Sequence, residues 1–117
     1  MTTNKSSTRL LQARRFAALG DPTRLEVFHL LSRGPLSVAE IASQLPVSRP
    51  SVSQHLKVLA DAGLVAFDSV GTRNIYRPDS DAVISMRDFI DGLWSIGLDR
   101  FRTAAEAVAR ERRRKSS

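Results

Sequence analysis

One segment of the chain, residues 48–60, contains many hydrogen-bonding side chains and no carboxylate. At helical spacing its outward positions are small or hydrogen-bonding, namely Ser48, Arg49, Ser51, Ser53, Gln54 and Lys57. Arginine can pair bidentately with guanine and glutamine with adenine, whereas serine and lysine donate to phosphates. An ordinary surface helix mixes Glu and Asp with its bases, and such carboxylates would repel phosphates. The segment therefore indicates a helix that reads the major groove of DNA, with a hydrated helix face as the alternative.

Capping residues and prolines predict four helices that position this segment. Asp21 and Pro22 begin the second helix, and Ser37 with Glu40 forms a capping box for the short third helix. Pro50 is tolerated only in a first turn, so it marks the start of the fourth helix. The predicted helices span residues 9–19, 22–33, 38–45 and 49–62.

The second half of the chain predicts a hairpin and one long helix. Residues 64–67 and 74–77 are rich in Val, Phe, Ile and Tyr, and a glycine turn at Gly71 joins them. After Asp79 or Ser80 as cap, apolar residues recur every three or four positions for about 30 residues. The order H-H-H-H-β-β-H is that of a winged helix-turn-helix, a mainly α fold with a β-hairpin wing.

The predicted last helix carries an apolar stripe that no later element can cover. A second copy of the chain is the simplest partner, because burial of each large apolar side chain contributes about 1.5–3 kcal/mol. The first helix is the second expected contributor. We therefore expect a homodimer whose interface contains Leu10, Leu11, Phe16, Phe89, Ile90, Leu93, Trp94 and Phe101.

Composition narrows the classes of protein. The chain has 117 residues, no cysteine and a formal charge of +6, which predicts one globular domain and raises the expectation of a polyanionic partner. No membrane-length apolar run, secretory leader, Gly-rich phosphate loop, nucleophile elbow or His-x-x-x-His pair is present, so we expect a cytoplasmic protein that is not an enzyme. The predicted organisation is a flexible tail over residues 1–8, a DNA-binding and dimerisation domain over 9–111 and a basic tail over 112–117.

Four runs of the sequence resemble a known family. FAALGDPTRLEVFHLL, LSVAEIASQL, SRPSVSQHLKVLADAGLV and, more loosely, GTRNIY are similar to the ArsR/SmtB family of bacterial winged-helix repressors, over residues 16–76. The resemblance implies homodimers that bind operator DNA with the fourth helix in the major groove. It also implies dimerisation through the first and last helices.

The metal-sensing positions of that family are changed in this chain. Ser37 and Ala39 occupy the positions of a cysteine pair, and no histidine follows His55. His29 lies in an apolar helix, where a core histidine is expected more often than a metal ligand. We therefore predict no metal site and no cofactor, and place the chain with the metal-independent members, which carry a tryptophan in the last helix. A small-molecule effector remains unspecified.

The wing also departs from the family pattern, in which arginines flank the turn. Asp68, Ser69 and Thr72 stand there, which leaves Arg73 and Arg77 as the bases of the wing. We expect the wing to contribute less to binding than in other members. His55 either braces the fourth helix or donates to a phosphate. The predicted DNA-binding residues are Ser48, Arg49, Pro50, Ser51, Ser53, Gln54, His55, Lys57 and Arg73.

The predicted function is a repressor that binds an inverted-repeat operator on double-stranded DNA as a homodimer. A winged helix that binds only protein is the alternative, and acidic or apolar residues on the outer face of the fourth helix would be its signature. RNA binding is a third interpretation, but aromatic side chains available for stacking are scarce.

Overall fold

The computed structural model describes residues 5–116. Five helices and three strands follow in the order α1 (Lys5–Leu19), α2 (Pro22–Ser32), β1 (Leu36–Ser37), α3 (Val38–Ala42), α4 (Arg49–Asp61), β2 (Val65–Val70), β3 (Arg73–Pro78) and α5 (Ser80–Ser116). The chain forms two compact units, one up to Met86 and one from Arg87 onward. The described residues contain no helix whose length and hydropathy would suit a membrane span.

Three helices, α2, α3 and α4, begin where the capping residues predict. Asp21 accepts a hydrogen bond from the backbone N–H three residues later, at 3.0 Å. Ser37 and Glu40 form the reciprocal capping box, with distances of 3.2 and 3.0 Å. Ser48 caps α4 in the same way at 3.3 Å. Each cap satisfies backbone donors that a helix start leaves unpaired, so the three starts are local properties of the sequence.

The three strands form an antiparallel sheet in the order β1-β3-β2. β2 and β3 are each longer than the predicted strands, and they meet at Gly71, whose φ of +64° suits a tight turn. The sequence did not predict β1, which pairs Leu36 with Tyr76 and Ser37 with Ile75. A strand of two residues has no periodicity of its own, and only its pairing with β3 defines it.

The core of the first unit lies between the helices and the root of the hairpin. Its most completely buried apolar side chains are Val27, Leu31, Ile41, Val52, Leu56, Leu59 and Leu64. Three of them belong to α4, where they occupy one face of the helix. Each contributes about 1.5–3 kcal/mol when buried. This burial holds α4 in place and leaves its opposite face to solvent.

The structure corrects three expectations about local environment. α1 is already helical at Lys5, so residues 5–8 of the predicted tail are helix, while residues 1–4 lie outside the described residues. α5 continues to Ser116 because Ala, Glu and Arg favour helix and bases suit a helix C-terminus, so residues 112–116 are not an irregular tail. His29 is exposed rather than in the core, since Val27 and Leu31 direct the buried face of α2 away from it.

Candidate nucleic-acid interface

α3, the turn that follows it and α4 form a helix-turn-helix. In α4 the side chains of Val52, Leu56 and Leu59 are fully buried against the core. Seven of the nine predicted DNA-binding residues are exposed, whereas Ser51 and His55 are partly buried. The exposed ones on or beside α4 are Ser48, Arg49, Pro50, Ser53, Gln54 and Lys57, and the seventh, Arg73, lies on the wing. One helix face therefore presents two cations, an amide and hydroxyls to solvent.

The charges on this face are not neutralised within the protein. α4 contains no carboxylate until Asp61, its last residue. Among residues 5–116, neither Arg49 nor Lys57 forms a salt bridge. Positive side chains without carboxylate partners are the groups that displace counterions from a DNA backbone.

His55 faces the protein rather than the exposed surface of α4. Its Nδ1 lies 4.0 Å from Oδ2 of Asp21, the cap of α2, and both side chains are partly covered. The hydrogen bond from the backbone N–H of Arg24 lowers the pKa of Asp21, and the charges of Arg24 and His55 lower it further. This contact favours the bracing role for His55 over a phosphate contact.

One wing arginine is ion-paired within the hairpin, and the other lies near a carboxylate of α3. Nε of Arg77 donates to Oδ2 of Asp68 across the hairpin at 3.2 Å. On β3, Arg73 lies close enough to Glu40 for its charge to contribute to lowering the pKa of that carboxyl, an effect that comes mainly from hydrogen bonds with Ser37. Both wing arginines therefore have an acidic neighbour, in contrast to the bases of α4.

Aromatic packing stiffens the hairpin behind these charges. The rings of Phe67 and Tyr76, which are cross-strand partners, have their centroids 5.3 Å apart. Near the turn, the Ser69 hydroxyl donates to Oδ1 of Asn74 at 3.1 Å. Thr72, Asn74 and Tyr76 line a cleft together with Arg49, a grouping that the sequence pattern does not predict. The only sequence signal for it is the polar run around the glycine turn.

The predicted dimer residues lie in two places. Leu10 and Leu11 are exposed on α1, whereas Phe16 is partly buried and packs against the core of the first unit. In α5, Phe89 and Ile90 are partly buried, and Leu93, Trp94 and Phe101 are 57, 62 and 72% exposed. The same helix exposes Ile96, Leu98 and Val108, which the predicted interface omitted although they are large and apolar.

Polar contacts also hold α1 to its neighbouring helices. Gln12 on α1 is 2% exposed, and its Nε2 donates to the Ser85 hydroxyl on α5 at 2.8 Å. Arg24 donates to the carbonyl of Ala18 at 2.7 Å, near the C-terminal end of α1. The described residues contain no group of three or more potential metal ligands close enough to hold an ion.

A helix-turn-helix with an exposed, carboxylate-free second helix and an adjoining hairpin defines a winged helix-turn-helix DNA-binding protein. Residues 19–66 match the family model described as a helix-turn-helix domain. An HTH-type transcriptional regulator of Mycobacterium tuberculosis is 44% identical over 98 residues, which cover 84% of this chain and 87% of that protein.

Solved structures show the same architecture. An ArsR-like transcriptional regulator from Rhodococcus superposes with a TM-score of 0.76 at 32% identity, covering 87% of this chain and 95% of that one. A homodimeric winged helix-turn-helix domain from Mycobacterium bovis, described as a possible ArsR-family regulator, has a TM-score of 0.63 at 28% identity and covers 81% of this chain and 91% of that domain. The chain belongs to the ArsR family of winged helix-turn-helix transcriptional regulators.

Proposed function

We propose that this regulator is a cytoplasmic repressor, without enzymatic activity, that binds an inverted-repeat operator as a homodimer and inserts α4 of each protomer into the major groove. The main support for this proposal is the solvent-facing side of α4. It presents Arg49, Ser53, Gln54 and Lys57 while three buried residues anchor the other side. A protein-binding adaptor has no comparable support, since that face carries no acidic residue and its apolar residues are only Pro50 in the first turn and the half-exposed Val58.

The exposed apolar residues of α1 and α5 support the homodimer. Leaving side chains such as Trp94 and Phe101 in water would create an aggregation-prone surface, and a second copy removes it. The Mycobacterium bovis domain is homodimeric, which agrees with this assembly. Two-fold symmetry would present two α4 helices to successive major grooves about 34–36 Å apart, so the half-sites should lie one helical turn apart or a multiple of it.

Two kinds of DNA contact are proposed for the site. Arg49 and Gln54 read base edges, because guanidinium and carboxamide groups match guanine and adenine in the major groove. Ser48, Ser51, Ser53 and Lys57 mainly fix the helix on phosphates. Pro50 sets the start of the helix, His55 braces it, and Arg73 adds a contact from the wing.

The regulator is proposed to act independently of metals. Ser37 and Ala39 offer no thiolate, and Ser37 is already engaged in the capping box of α3. Zinc, cadmium and arsenite should leave operator affinity unchanged. A stoichiometric metal that survives dialysis and shifts operator binding would overturn this part of the proposal.

The decisive experiment tests DNA taken from upstream of the protein's own gene. A gel shift and footprint should show protection of an inverted repeat by the wild-type protein and by the control Arg33→Ala, which removes an exposed arginine just beyond α2. Arg49→Ala should bind the repeat more weakly. Protection without any inverted repeat, or equal binding by all three proteins, would contradict the proposed mode.

Sedimentation tests the assembly separately. The wild-type protein should sediment as a dimer at micromolar concentration, and replacement of Leu93 and Trp94 by glutamate should give monomer or insoluble chain. Replacement of Asp91 and Ser95, exposed on the same helix but polar, by glutamate should leave the dimer intact. A wild-type monomer would contradict the homodimer.

A further inference from the structure

A cleft opens between α3, α4 and the wing, on the side of the first unit that carries the DNA-binding residues. Its volume is about 380 Å³, within the range of sites for small organic ligands. The polar residues that line it are Ser37, the cap of α3, Arg49 and Ser53 from α4, and Thr72, Arg73 and Asn74 from the wing, with the Tyr76 ring beside them. The two apolar residues of its wall, Val38 and Ala39, belong to α3.

The lining has a definite charge. Two guanidinium groups face the cleft and no carboxylate lines it. Within residues 5–116, neither Arg49 nor Arg73 forms a hydrogen bond or a salt bridge through its side chain. Guanidinium groups recognise carboxylate and phosphate oxygens in bidentate geometry, and hydroxyl and amide groups beside them can complete such an anion site.

A second cleft of the first unit does not have this purely positive lining. The cleft between α1, α2 and the end of α4 is of similar size, about 360 Å³. Arg14 and Arg24 line it too, but Asp61 stands with them, and Arg24 already donates to the carbonyl of Ala18. Only the cleft beside the wing, of these two, combines two arginines with no acidic residue in its lining.

We propose that the cleft between α4 and the wing binds a small organic oxyanion, a carboxylate or phosphate ester with a flat apolar body, and that this ligand competes with the operator. The oxyanion lies between Arg49 and Arg73, and the body lies against Tyr76, Val38 and Ala39. The inference rests on the proposed function, because Arg49, Ser53 and Arg73 are among the DNA contacts.

Competition follows from shared residues and needs no conformational change. A ligand bound between Arg49 and Arg73 neutralises two charges and blocks one side of α4. The ligand-bound protein therefore cannot bind the operator. For mutually exclusive binding, ligand at ten times its dissociation constant weakens each half-site about 11-fold, which is about 100-fold for a dimer with two independent sites. Such a ligand would release the operator directly.

The experiment uses phenyl phosphate and benzoate as probes on the full chain. Tyr76 is the only tyrosine, so its ring signals in NMR report on the cleft without ambiguity. Either probe should shift these signals and raise the operator dissociation constant beyond the effect of sodium chloride at equal ionic strength. Inorganic phosphate carries the oxyanion without the apolar body, so it tests the contribution of the oxyanion alone. It should shift the Tyr76 signals and weaken operator binding less than phenyl phosphate does.

Two wing variants provide the matched comparison. Arg73→Gln should abolish both responses to the probes, and each response is measured relative to the operator affinity of the same variant without probe. Arg77→Gln removes the neighbouring arginine of β3, which pairs with Asp68 outside the cleft, and should respond like the wild-type protein. Probe effects equal to those of chloride, or effects that persist in Arg73→Gln, would overturn the proposal. Failure to bind any operator without probe would instead contradict the proposed function, and the Tyr76 signals would still test the cleft.

Discussion

Helix α4 and the wing are neighbours on the same face of the first unit, yet they differ in whether their basic side chains have carboxylate neighbours. α4 carries Arg49 and Lys57 with no carboxylate before its last residue. The wing carries Arg77 in an ion pair with Asp68 at 3.2 Å, and Arg73 near Glu40. The bases of α4 therefore lack a carboxylate partner, whereas on the wing one arginine is ion-paired and the other has a carboxylate nearby.

This difference teaches that counting bases does not locate a DNA-binding surface. An exposed ion pair such as Arg77 with Asp68 adds at most about 1 kcal/mol to stability. The ion pair has a greater effect on DNA binding than on stability, because an arginine that is already paired with a carboxylate displaces no counterion from the phosphates. Affinity should therefore depend mainly on α4 and only weakly on the wing.

The largest expected effect comes from adding the same carboxylate to each region. Ser53→Glu on α4 should weaken operator binding about 100-fold or more, because a like charge at a binding surface costs several kcal/mol. Ser69→Glu on β2 is the matched change and should weaken it less than about threefold, since Asp68 already makes that strand acidic. Both dissociation constants can be measured by fluorescence anisotropy. Equal losses would abolish the distinction between the regions.

Removing the base-reading groups of α4 should have the next largest effect. Arg49→Ala or Gln54→Ala should cost about 1–3 kcal/mol on the operator and less on random DNA, so the ratio of the two affinities falls. Competition assays with operator and random duplexes measure that ratio. If it stays constant in both variants, α4 is not the reading element.

Loss of a phosphate contact should be smaller and uniform. Lys57→Ala should weaken operator and random DNA by the same factor and reduce the slope of log affinity against log salt by roughly one. A salt titration of both duplexes gives the two slopes. A selective loss on the operator would instead place Lys57 among the base readers.

The smallest expected effect is a gain. Asp68→Ser should release Arg77 and tighten binding about two- to fivefold, with a steeper salt dependence. The double variant Asp68→Ser with Arg77→Ser should return to the wild-type affinity, because it removes the base as well. An unchanged affinity in the single variant would show that the wing stays clear of the phosphates.

The two regions also differ in how well sequence reasoning predicted them. The starts of α2, α3 and α4 were predicted correctly because Asp21, Ser37 and Ser48 act on backbone groups within three residues of themselves. The stripe of Val52, Leu56 and Leu59 follows from helical periodicity alone. Which face of α4 meets solvent was therefore predictable before any tertiary contact was known.

The wing was predicted less completely because strand pairing joins residues that are distant in sequence. β1 exists only through Leu36 and Ser37 pairing with β3, and no local pattern indicates a strand of two residues. The exposed position of His29 and the full extent of α5 were also missed. A histidine among apolar neighbours does not reveal which side of its helix is buried, and a charged helix end resembles a tail in sequence.

By itself, the sequence determined the caps, the helix order and the carboxylate-free face of α4, because these depend on side chains acting within one or two helical turns. Only the tertiary structure decided that Asp68 neutralises Arg77 and that Arg49 and Arg73 share a cleft. Those partners depend on hairpin register and on how the wing packs beside α3 and α4. Register arises from many weak cross-strand contacts formed together, so no single residue type specifies it.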